Sequence, residues 1–489
     1  MPRLSQLVRQ RRGDGSPRLV LLIVCAGVVL ASLDLFIVNV ALPQMARDFH
    51  VRGSGLADLS WVLNAYAIVY AALLVLFGRL AERYPRELGF LLGVAVFVAA
   101  SAACGAATSV AMLVAFRIVQ AAGAALLTPT SLGLILATTE PERRQGAVRA
   151  WTAVGGLAAA AGPVIGGLLV AASWRWVFLV NVPIGLTALV LGWRRLPRVP
   201  GHPVPTPDAL GAVLVTAGVG ALALGLVKGG TWGWGSATTI ITLSLALAAL
   251  ALFALHTLRD SNPLIDRALF RLRPFTGAST VAVFFSAAFG AMLLSRVLWA
   301  QDVWHWSALS TGLSIAPGPI MVPLFGFVIA GRLTARFGPG AVIAAGSTIF
   351  AVGAAWWAVA IGLRPDYVGD MLGGMLLTGV GVGLTLPTLM ATGASSLPPH
   401  SFATGSAVVN MLRQIGLAIG VALLIAILGS PASPLSTLHV YQRASWMIAA
   451  IALAGGLIGW MMLAVRRGTI PASTAATTAT TATTATERA

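Results

Sequence analysis

Gly78-Arg79-Leu80-Ala81-Glu82-Arg83-Tyr84 closes one apolar block of this chain, and Gly331-Arg332-Leu333-Thr334-Ala335-Arg336-Phe337 closes another. Counted in blocks of about 20 residues, each long enough to cross a hydrocarbon core of ~30 Å, the first copy follows the second block and the other follows the tenth. A fainter echo has the same stride. Gly123 stands six residues before Pro129 in the fourth block, and Gly381 six before Pro387 in the twelfth. A step of eight blocks is what two six-helix repeats give when two further helices lie between them. Parallel repeats of this kind form the halves of many transporters, with the substrate site at their interface.

The blocks fall at roughly 18–42, 59–78, 89–107, 109–133, 150–172, 175–193, 209–228, 237–257, 276–300, 308–330, 340–361, 366–388, 403–428 and 444–465. Of 489 residues, 57% are hydrophobic and 10% charged, more apolar surface than a water-soluble domain can bury. Strict alternation is missing, which argues against a β-barrel. The expected fold is therefore an all-α polytopic membrane protein of 14 transmembrane helices, two six-helix bundles plus two linking helices. Its expected divisions are 1–195, 196–275 and 276–467, followed by a disordered Ala/Thr-rich tail over 468–489. The first block has no small-residue cleavage site and reads as a retained helix. The longest outer loop is expected at about 429–443. Cys25 and Cys104 both fall inside blocks, so no disulfide framework is expected.

The formal charge of +17 invites a nucleic-acid partner, but its distribution gives another explanation. On one side of the predicted bundle the loops hold 23 of the 32 basic residues, and six lie on the other. That asymmetry predicts both termini in the cytoplasm and makes the charge a topology signal, with the lipid bilayer rather than nucleic acid as partner. Trp232, Trp234, Trp304 and Trp306 fall at predicted outer boundaries, as an aromatic belt does.

Asp34 is the acidic residue placed well inside a block, in Leu33-Asp34-Leu35-Phe36-Ile37-Val38-Asn39-Val40-Ala41-Leu42-Pro43. A carboxylate at a helix centre costs roughly 2.5–3.5 kcal/mol even on a mild scale, so it needs a partner, a proton or a water-filled cavity. It lies nine residues before Pro43, and Arg117 lies eight past Ser109 in the fourth block. Both are then ~12–13 Å from the same side, at matching depth for a pair. Arg296 and Asp302 near the outer end of block nine, and Asp370 near that of block twelve, read as a solvated rim. No metal-ligand cluster, phosphate-cradling loop or nucleophile–base pair stands out. The chain therefore reads as neither an enzyme nor a cofactor protein. With no nucleotide-binding segment, an ion gradient must supply the energy, about 2.3 kcal/mol per charge across 100 mV.

Four stretches carry a resemblance to the fourteen-helix drug:proton antiporters of the major facilitator superfamily. They are the Leu33–Pro43 run, Gly155 with Gly162-Pro163-Val164-Ile165-Gly166-Gly167, Trp174-Arg175-Trp176-Val177-Phe178-Leu179-Val180-Asn181-Val182-Pro183-Ile184-Gly185, and Asn262-Pro263-Leu264-Ile265-Asp266 with Leu269-Phe270-Arg271. The resemblance implies that the first and fourth helices line a central cavity and that Asp34 and Arg117 are the proton-coupling pair. On that basis Asp34 alternately binds a proton and a cationic or polar substrate. It implies export by exchange through Gly155, Gly162, Pro163, Gly166 and Gly167, small residues that also let helices approach closely. It makes Gly78, Glu82, Arg83 and Arg86 a latch of ion pairs on the cytoplasmic side. Glu82, Pro85 and Glu87 depart from the family pattern there, so an ordinary solvated turn competes with the latch.

Asn39, Trp61, Asn64, Tyr66, Tyr70, Gln120, Asn410 and Arg413 are the candidate substrate-facing side chains. Aromatics can hold a lipophilic cation, although Trp61 also suits a membrane-interface anchor. Arg413 has no acidic residue at its depth, which leaves a bond to backbone carbonyls or a role in the cavity. The function expected is proton-coupled export of hydrophobic or amphipathic small molecules by a monomer in the bacterial plasma membrane. The alternatives are a dedicated exporter of one metabolite, an importer, and, in another class, a membrane-embedded sensor or enzyme.

Overall fold

The computed structural model describes residues 17–50, 59, 61–202, 208–260, 262–429 and 433–463. The expected 468–489 tail and the side chains of Asn39 and Pro163 lie outside the described residues. Fourteen helical spans follow one another, and no strand occurs among the described residues. They are α1 Pro17–Asp48, α2 Trp61–Arg83, α3 Arg86–Gly105, α4 Val110–Thr138 and α5 Pro141–Val170. Next come α6 Trp176–Arg195, α7 Ala209–Trp232, α8 Ala237–Arg259 and α9 Arg273–Val303. The chain closes with α10 Leu309–Phe337, α11 Pro339–Ala360, α12 Tyr367–Ser395, α13 Pro399–Leu428 and α14 Pro434–Leu463. Thirteen of these are long and apolar enough to cross a membrane, and α5, bent by 40° between Ala159 and Val164, makes the fourteenth. The bend falls at the Gly162-Pro163 sequence.

The apolar blocks marked the membrane-crossing cores but not the helix ends. Helix α14 begins at Pro434, ten residues before its block, so most of the expected 429–443 loop is helical. Its first turns carry His439, Gln442 and Arg443, which lower hydropathy without opposing helix formation. Within α10 and α12, π-helical turns at Leu324–Ile329 and Tyr367–Leu372 interrupt the regular ladder, the first directly after Pro323.

Both sequence echoes correspond to matching contacts. A Cβ built on Gly123 would stand 2.7 Å from the Phe97 nitrogen of α3, and one on Gly381 2.6 Å from the Gly346 oxygen of α11. Each glycine brings a helix against its neighbour's backbone, which no larger residue allows. Gly78 faces Ala403 and Ala407 of α13, and Gly331 faces Arg149 of α5. The pairings α1–α5 and α9–α13, and likewise α1–α6 and α9–α14, repeat the same arrangement. Helix α7 packs on both α2 and α13, with α8 against it. Helix α8 turns most of its apolar side chains outward, including Ile241, Leu245 and Leu252, as a lipid-facing surface does.

Candidate functional site

Asp34 and Arg117 are 0% and 1% exposed, and Arg117 Nη1 lies 2.5 Å from Asp34 Oδ2. The pair is held on every side. Arg117 Nε donates to the Val62 carbonyl at 2.9 Å, and its Nη1 also donates to Gln120 Oε1 at 2.7 Å. Gln120 Nε2 donates to Asp34 Oδ1 at 2.9 Å and to Ser101 Oγ at 2.6 Å. Asn181 Nδ2 reaches Asp34 Oδ1 at 3.3 Å and Ser101 Oγ at 3.4 Å. Helices α1, α3, α4 and α6 thus each contribute a polar group to one charge-neutral cluster. A buried ion pair is tolerated only when its remaining lone pairs and protons are satisfied in this way. Phe178 lies on one side of it, its ring centroid 5.8 Å from the Arg117 guanidinium carbon.

Tyr66 covers another side. The Arg117 guanidinium carbon sits 4.1 Å from the Tyr66 ring centroid, a cation–π contact, and the Tyr70 ring stacks 6.0 Å beyond. Tyr66 and Tyr70 belong to the wall of a cavity. That cavity is also lined by Thr128, Trp151, Asn410, Arg413 and Gln414, from α4, α5 and α13. A second cavity shares Phe36 and Thr152 with it and is walled by Met292, Leu293, Val322, Met375 and Leu386. Together they run between α1 and α5 on one side and α9, α10, α12 and α13 on the other.

The sequence-predicted residues distribute unevenly around this site. Asp34, Arg117, Gln120 and Tyr66 come together, while Tyr70, Asn410, Arg413 and Gly155 face the cavity. Trp61 and Asn64 are outside both linings; Trp61 instead lies 4.6 Å from the Lys228 ammonium of α7. Arg413 Nη1 donates to Asn410 Oδ1 at 3.1 Å, and the residue lines the cavity, the second of the two roles left open for it. Gly162 and Gly166 pack against Phe36 and Ile37 of α1, and Gly167 meets Leu309 of α10. Ser101 and Asn181 are the members that sequence reasoning missed. Asn181 stood in the quoted Trp174–Gly185 stretch, and a polar amide inside an apolar block was the available signal.

At the arginine-rich end, Glu82, Arg86 and Glu87 are buried, which rules out the solvated turn. Glu82 Oε1 accepts from the Ala403 and Thr404 amides at 2.5 and 3.0 Å, while its Oε2 meets Arg86 Nη2 at 3.0 Å. Ser401, at the start of that α13 helix, makes no side-chain cap of its own, so an acid from α2 satisfies the helix N-terminus. Arg86 Nη2 also donates to the Pro399 carbonyl at 2.9 Å. The chain leaving α6 is sewn in as well. The Val199 amide donates to Glu87 Oε2 at 2.9 Å, the Arg86 amide to the Val199 carbonyl at 3.1 Å, and the His202 amide to the Glu82 carbonyl at 2.8 Å. A Cβ on Gly201 would fall 1.9 Å from the Arg83 carbonyl oxygen, so only glycine fits there. In the other echo Ala335 stands where Glu82 does, and the second copy lacks the acid.

Arg296 corrects another expectation. It is fully buried rather than on a solvated rim, because α9 continues to Val303 and α14 covers it. Its Nη2 bonds Ser295 Oγ at 2.7 Å and Ser445 Oγ at 3.3 Å, and its carbon lies 4.7 Å from the Trp357 ring centroid. Its Nε and Nη1 have no acceptor among the described residues. Trp304 is also buried, with Nε1 donating to the Gly362 carbonyl at 3.0 Å, so it is a packing residue rather than part of a belt.

Paired bundles of apolar helices around a central cavity, with a sealed charge pair beside it, define a multi-pass membrane transporter rather than an enzyme. The chain belongs to the Major Facilitator Superfamily, whose signature matches residues 24–421. It is 34% identical over 417 residues to the tetracenomycin C resistance and export protein of Streptomyces glaucescens, covering 85% of this chain and 76% of that one. It is 35% identical over 461 residues to the cephamycin export protein CmcT of Amycolatopsis lactamdurans, covering 92% and 93%. In fold it is similar to the human organic anion transporter MFSD10, with a TM-score of 0.64 at 15% identity, covering 91% of this chain and 99% of that one.

Proposed function

We propose that this chain is a proton-coupled exporter of hydrophobic or amphipathic small molecules, antibiotics among them, working by alternating access. Export is supported by relatives named for resistance and export. The observation that carries the coupling is the sealed Asp34–Arg117 pair, separated from the cavity by one aromatic ring. Protonating Asp34 removes the charge that holds Arg117. The guanidinium keeps its bonds to Val62 and Gln120 and turns toward Tyr66, and the cavity wall moves with it. Loss of the proton restores the pair. With the arginine-rich end in the cytoplasm and the site reached alternately from each side, each cycle carries protons inward and solute outward. The proton gradient is then the energy source, with no cofactor, and one copy of the chain contains every group invoked.

A second reading, export of a single compound class, is favoured by the tetracenomycin C and cephamycin relatives, each named for one compound. Reconstituted vesicles with an imposed pH difference test the coupling. Wild type should accumulate solute against its gradient, and Asp34→Asn should lose that accumulation while still binding solute. Equal accumulation with and without the pH difference would overturn the reading.

A further inference from the structure

The charge lining the cavities is of one sign. Among the described residues Arg413 is the charged side chain in either wall, and neither wall contains a carboxylate. Asp34 is buried and fully enclosed. Its two oxygens are taken up by Arg117, Gln120 and Asn181, and the Tyr66 ring stands between Arg117 and the open space. Arg117 and Asp34 cancel each other at a distance, so the field entering the cavity is that of Arg413.

Arg413 is built to receive an acceptor. Its Nη1 is held by Asn410 Oδ1, and Asn410 is itself fixed by Nδ2 donating to the Ser406 carbonyl at 2.9 Å. Its Nε has no acceptor among the described residues. A guanidinium in the wall of a low-dielectric cavity is costly without a counter-charge, and a carboxylate or phenolate in that cavity supplies one through a charge-assisted bond. A cation entering the same space meets a like charge and no counter-ion, in surroundings of low dielectric where repulsion is strong. The adjoining space past Phe36 and Thr152 is lined by methionine and aliphatic side chains, a surface that adapts to apolar rings of varied shape.

We propose that the transported solutes are amphiphilic acids and acceptor-rich neutral compounds, not lipophilic cations, and that Arg413 is the residue that selects for them. The apolar ring system occupies the space walled by Met292, Met375 and Leu386, and the anionic oxygen meets Arg413. The proposal rests on the exporter reading above but not on its proton coupling.

Two xanthene dyes on one ring system provide the test, a carboxylated anionic dye and a cationic rhodamine ester. Binding to the purified chain is read by anisotropy, and uptake into inside-out vesicles is read with and without a pH difference. Wild type is expected to bind and carry the anionic dye at least tenfold better than the cation. Arg413→Gln should remove most of that preference, and Arg413→Lys should keep part of it; a melting curve establishes that each variant is folded. Equal or better handling of the cationic dye, an unchanged preference in Arg413→Gln, or failure of both dyes to bind overturns the assignment. Cation export that depends on the pH difference would sink the charge selection and leave the coupled exporter standing. Anion export indifferent to pH would do the reverse.

Discussion

The guanidinium carbon of Arg117 lies 4.1 Å from the centroid of the Tyr66 ring, and that ring is part of the cavity wall. One side chain therefore touches both the buried charge and the space a solute occupies. The Tyr66 hydroxyl is buried without a hydrogen-bond partner among the described residues, so the ring face rather than the phenol makes the connection. Tyr66→Phe should keep proton-driven accumulation within about twofold of wild type, since a phenyl ring retains most of the cation–π attraction of about 0.5–2 kcal/mol. Tyr66→Leu should reduce it severalfold without abolishing solute binding. Initial rates and binding isotherms on the two variants check this.

The carboxylate of Glu82 binds two amides at the start of α13 and one guanidinium. Glu82→Ala leaves those amides without their acceptor and Arg86 with only the Pro399 carbonyl, at a cost of about 1–3 kcal/mol to the state in which this end is shut. That shifts a two-state equilibrium roughly tenfold toward opening. Spin labels on the neighbouring ends of α2 and α13 should show a longer distance in Glu82→Ala and an intermediate population in Glu82→Gln. An unchanged distance distribution would refute a latching role.

His202 Nε2 lies 3.2 Å from the Pro399 carbonyl, close to Arg86 and His400. Burial, with the Arg86 charge next, holds its imidazole below the ordinary value of 6.5. A depressed imidazole contributes its stabilisation above pH 6.5 and loses it as the pH falls through the lowered value. The protection factor at the 199–202 strap, corrected for the intrinsic pH dependence of exchange, should therefore fall as the pH drops below 6.5. His202→Gln should flatten that dependence.

Arg296 carries a buried guanidinium with two nitrogens lacking acceptors among the described residues. Replacing a buried charge by a hydrophobic side chain of similar length is often stabilising, by about 1–4 kcal/mol in buried ion-pair systems. Arg296→Met should raise the melting temperature of the purified protein and leave transport selectivity unaltered. A fall in melting temperature would show that the serine and Trp357 contacts outweigh the desolvation cost.

The helices were legible because lipid imposes a length and a composition on each crossing, and the two echoes gave their order. The Asp34–Arg117 pair was legible too, since two costly charges at one depth demand each other. Ser101 and Asn181 were not. A hydroxyl and an amide carry little penalty in a span, and only the packing of α3 and α6 against α1 shows where they point. Arg296 was misplaced because an apolar block ends before its helix does, which makes a buried position look like a rim. Glu82 looked weakened by its departure from the family pattern, yet its side chain reaches two amides across the interface. Only three-dimensional proximity of residues 321 positions apart reveals that.

Gly201 rests directly on the backbone at Arg83 and leaves no room even for a methyl group. The same chain bonds Glu82, Arg86 and Glu87 of α2 and α3, while His202 Nε2 reaches the Pro399 carbonyl of α13, so a motion that parts Glu82 from α13 breaks that last contact and carries the strap along with α2. The inserted hairpin is thereby leashed at its leading end to α2 and α3, the half of the molecule from which the chain arrives.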